Sequence, residues 1–512
     1  MKKTRIALYM IPALLPPIWL LLSGQGAKMP VMNERRWGLL LQSAEIAAGS
    51  FLLCCLIAVF AALGLFLHFP KKKMLRWFFM ILAPLPSYIY ALTYMNLIRF
   101  FGRWIPSFLS VPMAGLLPCI LVETMAYLPF AVAIALISLE QADGREWKAA
   151  LLMKDADLVY FQIILPRQLP YLLAMGAVIF ILSVTDYSIP SLFQVNVYAM
   201  EIFSDYSAMG NSACSLQLAI PMMAISVAVL LLGVFPLRNV KRPMAAGEEV
   251  HPNHSPLMKG LCYLGVGILF LQILLPILSL LPFIKEMAAE FVPAWEEMFH
   301  SMVTGILAVI LLTPIGAGMA LILSERPEKG KNNYAVILWI LTLLPLSIPG
   351  VLSGIGVLKF FSDTPLAFLR NHLAMPAIGM AIRYLPFSAL IQFGCYMRMD
   401  RDKILAARLL ESRKGQAFFR VKLPMMYPGL CISAIVVFLL TLGDVGCALM
   451  LMPPGKEPLS VKIYNYLHYG ASETVAGFCL LQVICCLLCM SLLYFAVKGH
   501  GHAGSKASDK TI

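Results

Sequence analysis

The hydrophobic pattern of this chain is set by length rather than by periodicity. Apolar runs of about twenty residues recur from end to end, the length an α-helix needs to cross a bilayer. Twelve are predicted: 5–23, 43–67, 77–98, 113–137, 171–194, 215–236, 259–283, 302–324, 335–358, 373–394, 428–452 and 474–497. Short polar connections join most of them, as in a compact helical bundle. The longest polar stretch, 237–257, carries Arg238, Lys241, Arg242, Pro243, Gly247 and Pro252 without periodicity. It divides the chain into a first six-span unit (1–236), a linker (237–257), a second six-span unit (258–498) and a short tail (499–512). The reading is therefore an all-α integral membrane protein of twelve transmembrane helices in two tandem six-helix units.

Composition agrees. The 512 residues are 60% hydrophobic and 13% charged, against about 45–50% and about 25% in soluble domains. The net charge of +13 is not that of a nucleic-acid binder, because the basic residues gather in alternate loops: Lys2-Lys3-Arg5, Lys71-Lys72-Lys73-Arg76, Arg238-Lys241-Arg242 and the stretch 398–422. The opposite loops carry Glu201, Asp205, Glu286, Glu290, Glu296 and Glu297. Positive residues mark the cytoplasmic side, so both termini are expected there. The first apolar run has a basic flank but no small-residue cleavage site, and reads as an uncleaved anchor.

The two units repeat. Tyr127-Leu128-Pro129-Phe130 recurs as Tyr384-Leu385-Pro386-Phe387, Arg99-Phe100-Phe101 as Lys359-Phe360-Phe361, and Asp186 as Asp444. Glu201-Ile202-Phe203 matches Lys462-Ile463-Tyr464, so the offset stays between 257 and 261 positions over most of the unit. Parallel six-span repeats place a pseudo-two-fold axis along the membrane normal, with a pathway on it.

Between the fourth and fifth spans of each unit lies a basic elbow. The first starts at Asp143, carries Ala149-Ala150 and ends at Leu165-Pro166; the second starts at Asp400, carries Ala406-Ala407 and ends at Leu423-Pro424. Each Asp is placed to accept hydrogen bonds from a first helical turn. The alanines leave a strip where another surface can approach the backbone, Phe161 and Phe418-Phe419 supply apolar knobs, and Leu-Pro is expected to close the segment. The product is a short helix, a turn and a second helix, shaped for a groove in a soluble partner.

These elbows resemble the EAA loop of ABC-importer permeases, whose pattern is Glu-Ala-Ala, three residues, Gly, nine residues, Ile-x-Leu-Pro. The Ala-Ala and Leu-Pro pairs fit, the first elbow being one residue shorter; the Glu position holds Lys148 and Leu405, and the Gly position holds Lys154 and Glu411. The stretches Leu442-Gly443-Asp444, Leu451-Met452-Pro453-Pro454-Gly455 and Asp186-Tyr187-Ser188-Ile189-Pro190 are similar to fused permeases of the ferric-iron type. The resemblance implies two fused type I permease domains in a bacterial cytoplasmic membrane, two ABC ATPase subunits on the cytoplasmic side, and an extracytoplasmic solute-binding protein. It implies ferric iron as the cargo, with thiamine, phosphonate or another small solute carried by relatives of the same plan. An ion-coupled twelve-span carrier is the rival class. The chain has no Gly-rich phosphate loop, so it is read as a transport component with ATP used by partner subunits and no cofactor of its own.

Charges at bilayer depth cost about 2.5–3.5 kcal/mol or more and face a cavity or a partner. Glu123, Asp186, Arg383 and Asp444 stand inside predicted spans. They either line the translocation path or gate, or lock helices together; Arg383 and Asp444 are placed to pair, and Asp186 and Asp444 to flank the axis. No His or Cys joins these carboxylates at metal-ligand spacing. Cys486-x-x-Cys489 reads as helix packing, and His500 and His502 as part of a solvated tail. Pro84, Pro86, Pro345 and Pro349-Gly350 interrupt the third and ninth spans, as hinges for alternating access or as plain kinks.

Overall fold

A computed structural model describes residues 2–23, 32–68, 85–101, 114–140, 142, 144–239, 252–324, 332–397, 399, 401–411, 413, 415–470 and 473–508. Among them the chain is helical without strands. In the first half run α1 (Lys2–Ser23), α2 (Glu34–His68), α3 (Ser87–Phe101), α4 (Leu116–Glu140), α5 (Gly144–Leu151), α6 (Ala156–Val159), α7 (Leu165–Val184), α8 (Ser188–Leu192), α9 (Tyr198–Met209) and α10 (Ser212–Val234). The second half has α11 (Pro256–Leu280), α12 (Ile284–Glu290), α13 (Trp295–Ser324), α14 (Asn332–Leu343), α15 (Gly350–Asp363), α16 (Ala374–Tyr396), α17 (Arg401–Leu409), α18 (Leu423–Leu442), α19 (Gly446–Leu451), α20 (Leu459–Tyr469) and α21 (Glu473–Ser508).

Nine helices among the described residues are long and apolar enough to cross a membrane, and they fall on nine of the twelve predicted spans. The ninth predicted span is a broken one: Tyr334–Ser347 and Gly350–Asp363 meet at 84°. The cause is local. Ile348 precedes Pro349 and is extended (φ −89°, ψ 119°), because a proline disfavours helical backbone in the residue before it. Of the third span only α3 is described, starting just after Pro86; Pro84 lies outside the described residues. The twelfth falls within α21, which continues through the predicted tail to Ser508.

Two predicted spans end elsewhere. The runs 171–194 and 428–452 stop as helices at Val184 and Leu442. Length of apolar sequence alone hides the break, because the short helices α8 and α19 that follow are themselves apolar. The Leu-Pro pairs also behave differently from expectation. They open α7 and α18 rather than closing the elbow, with the proline at the second helical position. A π-helical turn precedes each, Tyr160–Ile164 and Phe418–Lys422, and the Leu165 and Leu423 amides donate to Tyr160 O and Phe418 O five residues back. A proline lacks the donor for the i−4 carbonyl and crowds it; widening the turn to five residues carries the helix past that point.

The halves share one packing plan. In the first, α2, α4 and α7 pack on one another; in the second, their counterparts α13, α16 and α18 do the same. The opening helices are exchanged. α1 lies on α13 and α15, while α11 lies on α2 and α3, the repeat counterparts of those two. Both contacts are close enough to require glycine: a Cβ on Gly356 would stand 2.6 Å from Pro16 Cβ, and one on Gly265 2.6 Å from the Ala61 amide nitrogen. Small residues of this kind let helix backbones meet inside a membrane. Polar ties reinforce each crossing. Tyr9 OH donates to Thr342 O at 2.8 Å, Ser279 Oγ to Thr93 Oγ1 at 3.2 Å, and Gln272 Nε2 to the Tyr90 hydroxyl. One apolar core accordingly runs through both halves, from Ile46 and Tyr88 to Leu442 and Ile463.

Candidate functional site

The breaks after α7 and α18 place the two repeated aspartates. Asp186 Oδ1 accepts from Ser188 N at 2.9 Å and Ser188 Oγ at 2.6 Å, at the start of α8. Asp444 Oδ1 accepts from Cys447 N at 2.8 Å and Ala448 N at 3.4 Å, at the start of α19. Each carboxylate thus caps the short helix that follows it, satisfying amides with no intrahelical partner.

Beyond that shared task the two differ. Asp444 is buried, and its Oδ2 accepts from Tyr384 OH at 2.7 Å and lies 3.3 Å from Arg383 Nη1. The guanidinium fits because two helix starts carry glycine beside it. A Cβ on Gly350 would overlap it, and one on Gly446 would stand 3.2 Å from Nη1. The first-half counterpart of Arg383 is Ala126, so the guanidinium at this position comes from the second half alone, and Asp186 interacts with it electrostatically.

Residues of the two halves meet around this group. Phe130 and Phe387, equivalent in the repeat, touch edge to face with centroids 5.9 Å apart. Tyr187 stacks on Phe203 of its own half (5.7 Å, 11°) and meets Tyr464, the counterpart of Phe203, at 6.2 Å. The Tyr464 hydroxyl is 2.7 Å from Ser191 Oγ, and His468 Nδ1 is 3.0 Å from Tyr464 O. The result is an aromatic seam with an Arg–Asp pair beside it.

Glu123 stands apart from the pair. It is buried in α4, accepts from Ser50 Oγ at 3.1 Å and from Ser183 Oγ, and leaves Oε1 without a hydrogen bond. Met380 holds its place in the second half. Of the four charged residues singled out in the spans, the structure joins Arg383 with Asp444, keeps Asp186 within their field, and ties Glu123 to α2 and α7 instead. Among the described residues no three His, Cys, Asp or Glu side chains converge to hold a metal ion. None of the twelve cysteines is disulfide-bonded.

The elbows form a second candidate site. Asp143 and Asp400 lie outside the described residues. Ala149 and Ala406 are exposed, with Ala150 and Ala407 half-buried behind them. α5 is anchored by Trp147, buried and stacked on Phe66 at 5.7 Å, and by a two-pronged ion pair between Glu146 and Arg167 at the start of α7. In the second half Ile404 and Lys403 replace Trp147 and Glu146, and Met425 replaces Arg167.

The elbow tips carry the feature that sequence reasoning passed over. Leu152 and Met153 are 89% and 85% exposed, and their counterparts Leu409 and Leu410 are 87% and 85% exposed. Large apolar side chains this bare, at equivalent places in both halves, make the tips a candidate interaction surface. Phe161 and Phe419 add exposed rings beyond each turn. The signal was in the sequence: both dipeptides follow their Ala-Ala at the same spacing.

The chain is a multi-pass membrane protein, and the curated proteins it is similar to are transport-system permeases. No family model matches it. It is 26% identical, over 41% of its length and 77% of the relative's, to the putative 2-aminoethylphosphonate transport system permease protein of Salmonella typhimurium. It is 27% identical, over 41% of its length and 81% of the relative's, to the probable molybdenum ABC transporter permease protein of Haloferax volcanii. With the molybdate/tungstate transport system permease protein of Thermococcus kodakarensis it shares 22% over 35% of its length and 71% of the relative's. Similarity to these proteins supports an ABC-importer permease.

Proposed function

We propose that this chain is the fused permease of an ATP-driven importer, with two six-span halves in one polypeptide and both termini in the cytoplasm of a bacterial cell. The fusion reading is supported by coverage: most of a relative's length corresponds to about two-fifths of this chain. The observation that carries the function is the doubled elbow, in which Leu152-Met153 and Leu409-Leu410 stand bare at repeat-equivalent tips. Two ATPase subunits dock there, one per elbow. Their closure tilts α7 and α18 through the π-turns, which shifts the aromatic seam at Tyr187 and Tyr464 and alternates access. An extracytoplasmic binding protein delivers the solute.

For the cargo we propose ferric iron. Asp186 and Asp444 face the Arg383 guanidinium, a surplus of one carboxylate that favours a hard cation over an anion. The oxyanion and phosphonate names of the relatives favour the opposite reading, with Arg383 as the group that attracts the anion.

The test has two arms. Affinity purification of the full chain is expected to recover an ATPase, and recovery should collapse when Leu409 and Leu410 are both replaced by glutamate while folding is unchanged; intact recovery overturns the docking reading. Thermal shift of the partner binding protein with ferric citrate, molybdate and 2-aminoethylphosphonate identifies the cargo, and stabilisation by an oxyanion alone overturns iron.

A further inference from the structure

In the first half, the space between the elbow and the neighbouring opening helix is filled by the chain itself. His254, just before α11, is buried there with Nδ1 2.7 Å from Asp157 Oδ1 and its ring edge-on to Tyr160. The Ser255 amide donates to the same carboxylate at 3.3 Å. In the second half the corresponding space, between α1 and the second elbow, is a cavity of about 460 Å³. Among the described residues, Arg5, Arg408 and Lys422 line it against one carboxylate, Glu411, with Phe418 on its wall. The repeat explains the difference. Arg408 stands where the first half has Leu151, Lys422 where it has Ile164, and Gly415 where it has Asp157, the acceptor for His254. The second half has lost the plug and gained positive charge.

We propose that this cavity binds the phosphate headgroup of an anionic membrane phospholipid. Three cations against one carboxylate select an anion, and their depth selects a lipid, since Arg5 lies in the first turn of a span at the level of the headgroups. Two lining residues have exposed apolar neighbours along the chain. Leu8, one turn on from Arg5, and Phe419, next to Phe418, offer a surface to acyl chains. A soluble phosphate would use the charges and leave those side chains unused. A docking protein already has the bare tip at Leu409-Leu410.

This goes beyond the proposed function and rests only on its orientation, with elbows at the cytoplasmic leaflet. The experiment uses the full chain in nanodiscs of phosphatidylcholine or phosphatidylglycerol, with native mass spectrometry after detergent extraction counting retained lipid. The readout does not depend on transport. Wild type is expected to keep one phosphatidylglycerol, and R408Q/K422Q to reduce its occupancy about thirty-fold, at about 1 kcal/mol per basic contact. Glu411→Gln should raise retention, which keeps the test informative if the double variant folds poorly. Equal retention by all three proteins overturns the proposal. So does displacement by millimolar inorganic phosphate, which would mark a soluble-anion site. Loss of ATPase recovery by R408Q/K422Q in phosphatidylcholine as well as in phosphatidylglycerol would assign the cavity to the protein partner and overturn it too.

Discussion

Glu201 and Lys462 hold the same place in the two repeats and carry opposite charges. Each is matched by a partner that is reversed in the same way. Arg36 Nε lies 3.2 Å from Glu201 Oε1, and Lys462 Nζ lies 2.6 Å from Glu297 Oε1. Arg36 and Glu297 each stand in the first turn of their helix, α2 and α13. Each half therefore ties its hairpin helix, α9 or α20, to its own α2 or α13. The exchanged combinations would bring Arg36 to Lys462 and Glu201 to Glu297, and like charges in contact are unfavourable. Reversed polarity thus encodes which hairpin belongs to which half. Lys462→Glu is expected to destabilise the protein by about 1–3 kcal/mol, since both side chains are largely covered. E297K/K462E should recover most of that loss, and thermal unfolding of the four proteins in detergent, as a double-mutant cycle, reads the coupling. No recovery in the double variant would show that the pair does not matter as a pair.

The two capping aspartates should respond unequally to alanine. Asp186 caps α8 through Ser188 alone, so Asp186→Ala is expected to cost about 1 kcal/mol. Asp444 caps α19 and also holds Arg383 and the Tyr384 hydroxyl, so Asp444→Ala leaves a guanidinium without its partner and should cost about 3–5 kcal/mol. Asp444→Asn, which keeps an acceptor for the cap, should fall between. Chemical unfolding of the purified variants measures the order, and equal losses at 186 and 444 would contradict the asymmetry.

Much of the architecture was legible in the sequence. Span positions follow from apolar length, and the repeat from Tyr-Leu-Pro-Phe and the two aspartates, because duplication preserves order. The Arg383–Asp444 pair was readable because an arginine at bilayer depth needs a carboxylate. Other features were hidden for physical reasons. The ends of α7 and α18 fall inside continuous apolar sequence, where hydropathy has no edge. The π-turns need the geometry of Pro166 and Pro424 against the preceding carbonyls. The exchange of α1 and α11 is a tertiary choice carried by glycines such as Gly265 and Gly356, which look in sequence like any other small residues. The bare tips at Leu152-Met153 and Leu409-Leu410 share a spacing from Ala-Ala that the sequence shows, but only their exposure separates them from other apolar pairs.

Charge at those tips should separate docking from folding. Leu152→Glu with Met153→Glu, or Leu409→Glu with Leu410→Glu, places polar groups where the side chains are already solvated, so the melting temperature should move little. Truncating central apolar anchors of an interface costs about 2 kcal/mol or more, about thirty-fold in affinity. ATPase recovery should drop by that order for either pair. The two drops need not be equal, because Trp147 and the Glu146–Arg167 pair brace the first elbow and have no counterpart in the second. A variant that loses stability along with recovery would place the tips in the folded core instead.

The π-turns offer a mechanical test. Pro424→Ala restores the amide donor and removes the ring that crowds the carbonyl four residues back, so the segment Phe418–Lys422 becomes free to adopt α-helical hydrogen bonding. Five residues in the narrower helix turn further than five in the wider one, and the elbow would rotate by roughly a quarter turn relative to α18. Leu409 and Leu410 would then point away from a docked ATPase. Spin labels at exposed elbow and span positions should report a changed distance distribution, and ATP-driven uptake should fall while the fold is kept or slightly stabilised. Pro166→Ala should do the same with a smaller rotation, because the Glu146–Arg167 pair holds α5 against α7 whatever the register of the turn. Unchanged distances in Pro424→Ala would show that the π-turn is set by the surrounding packing rather than by the proline.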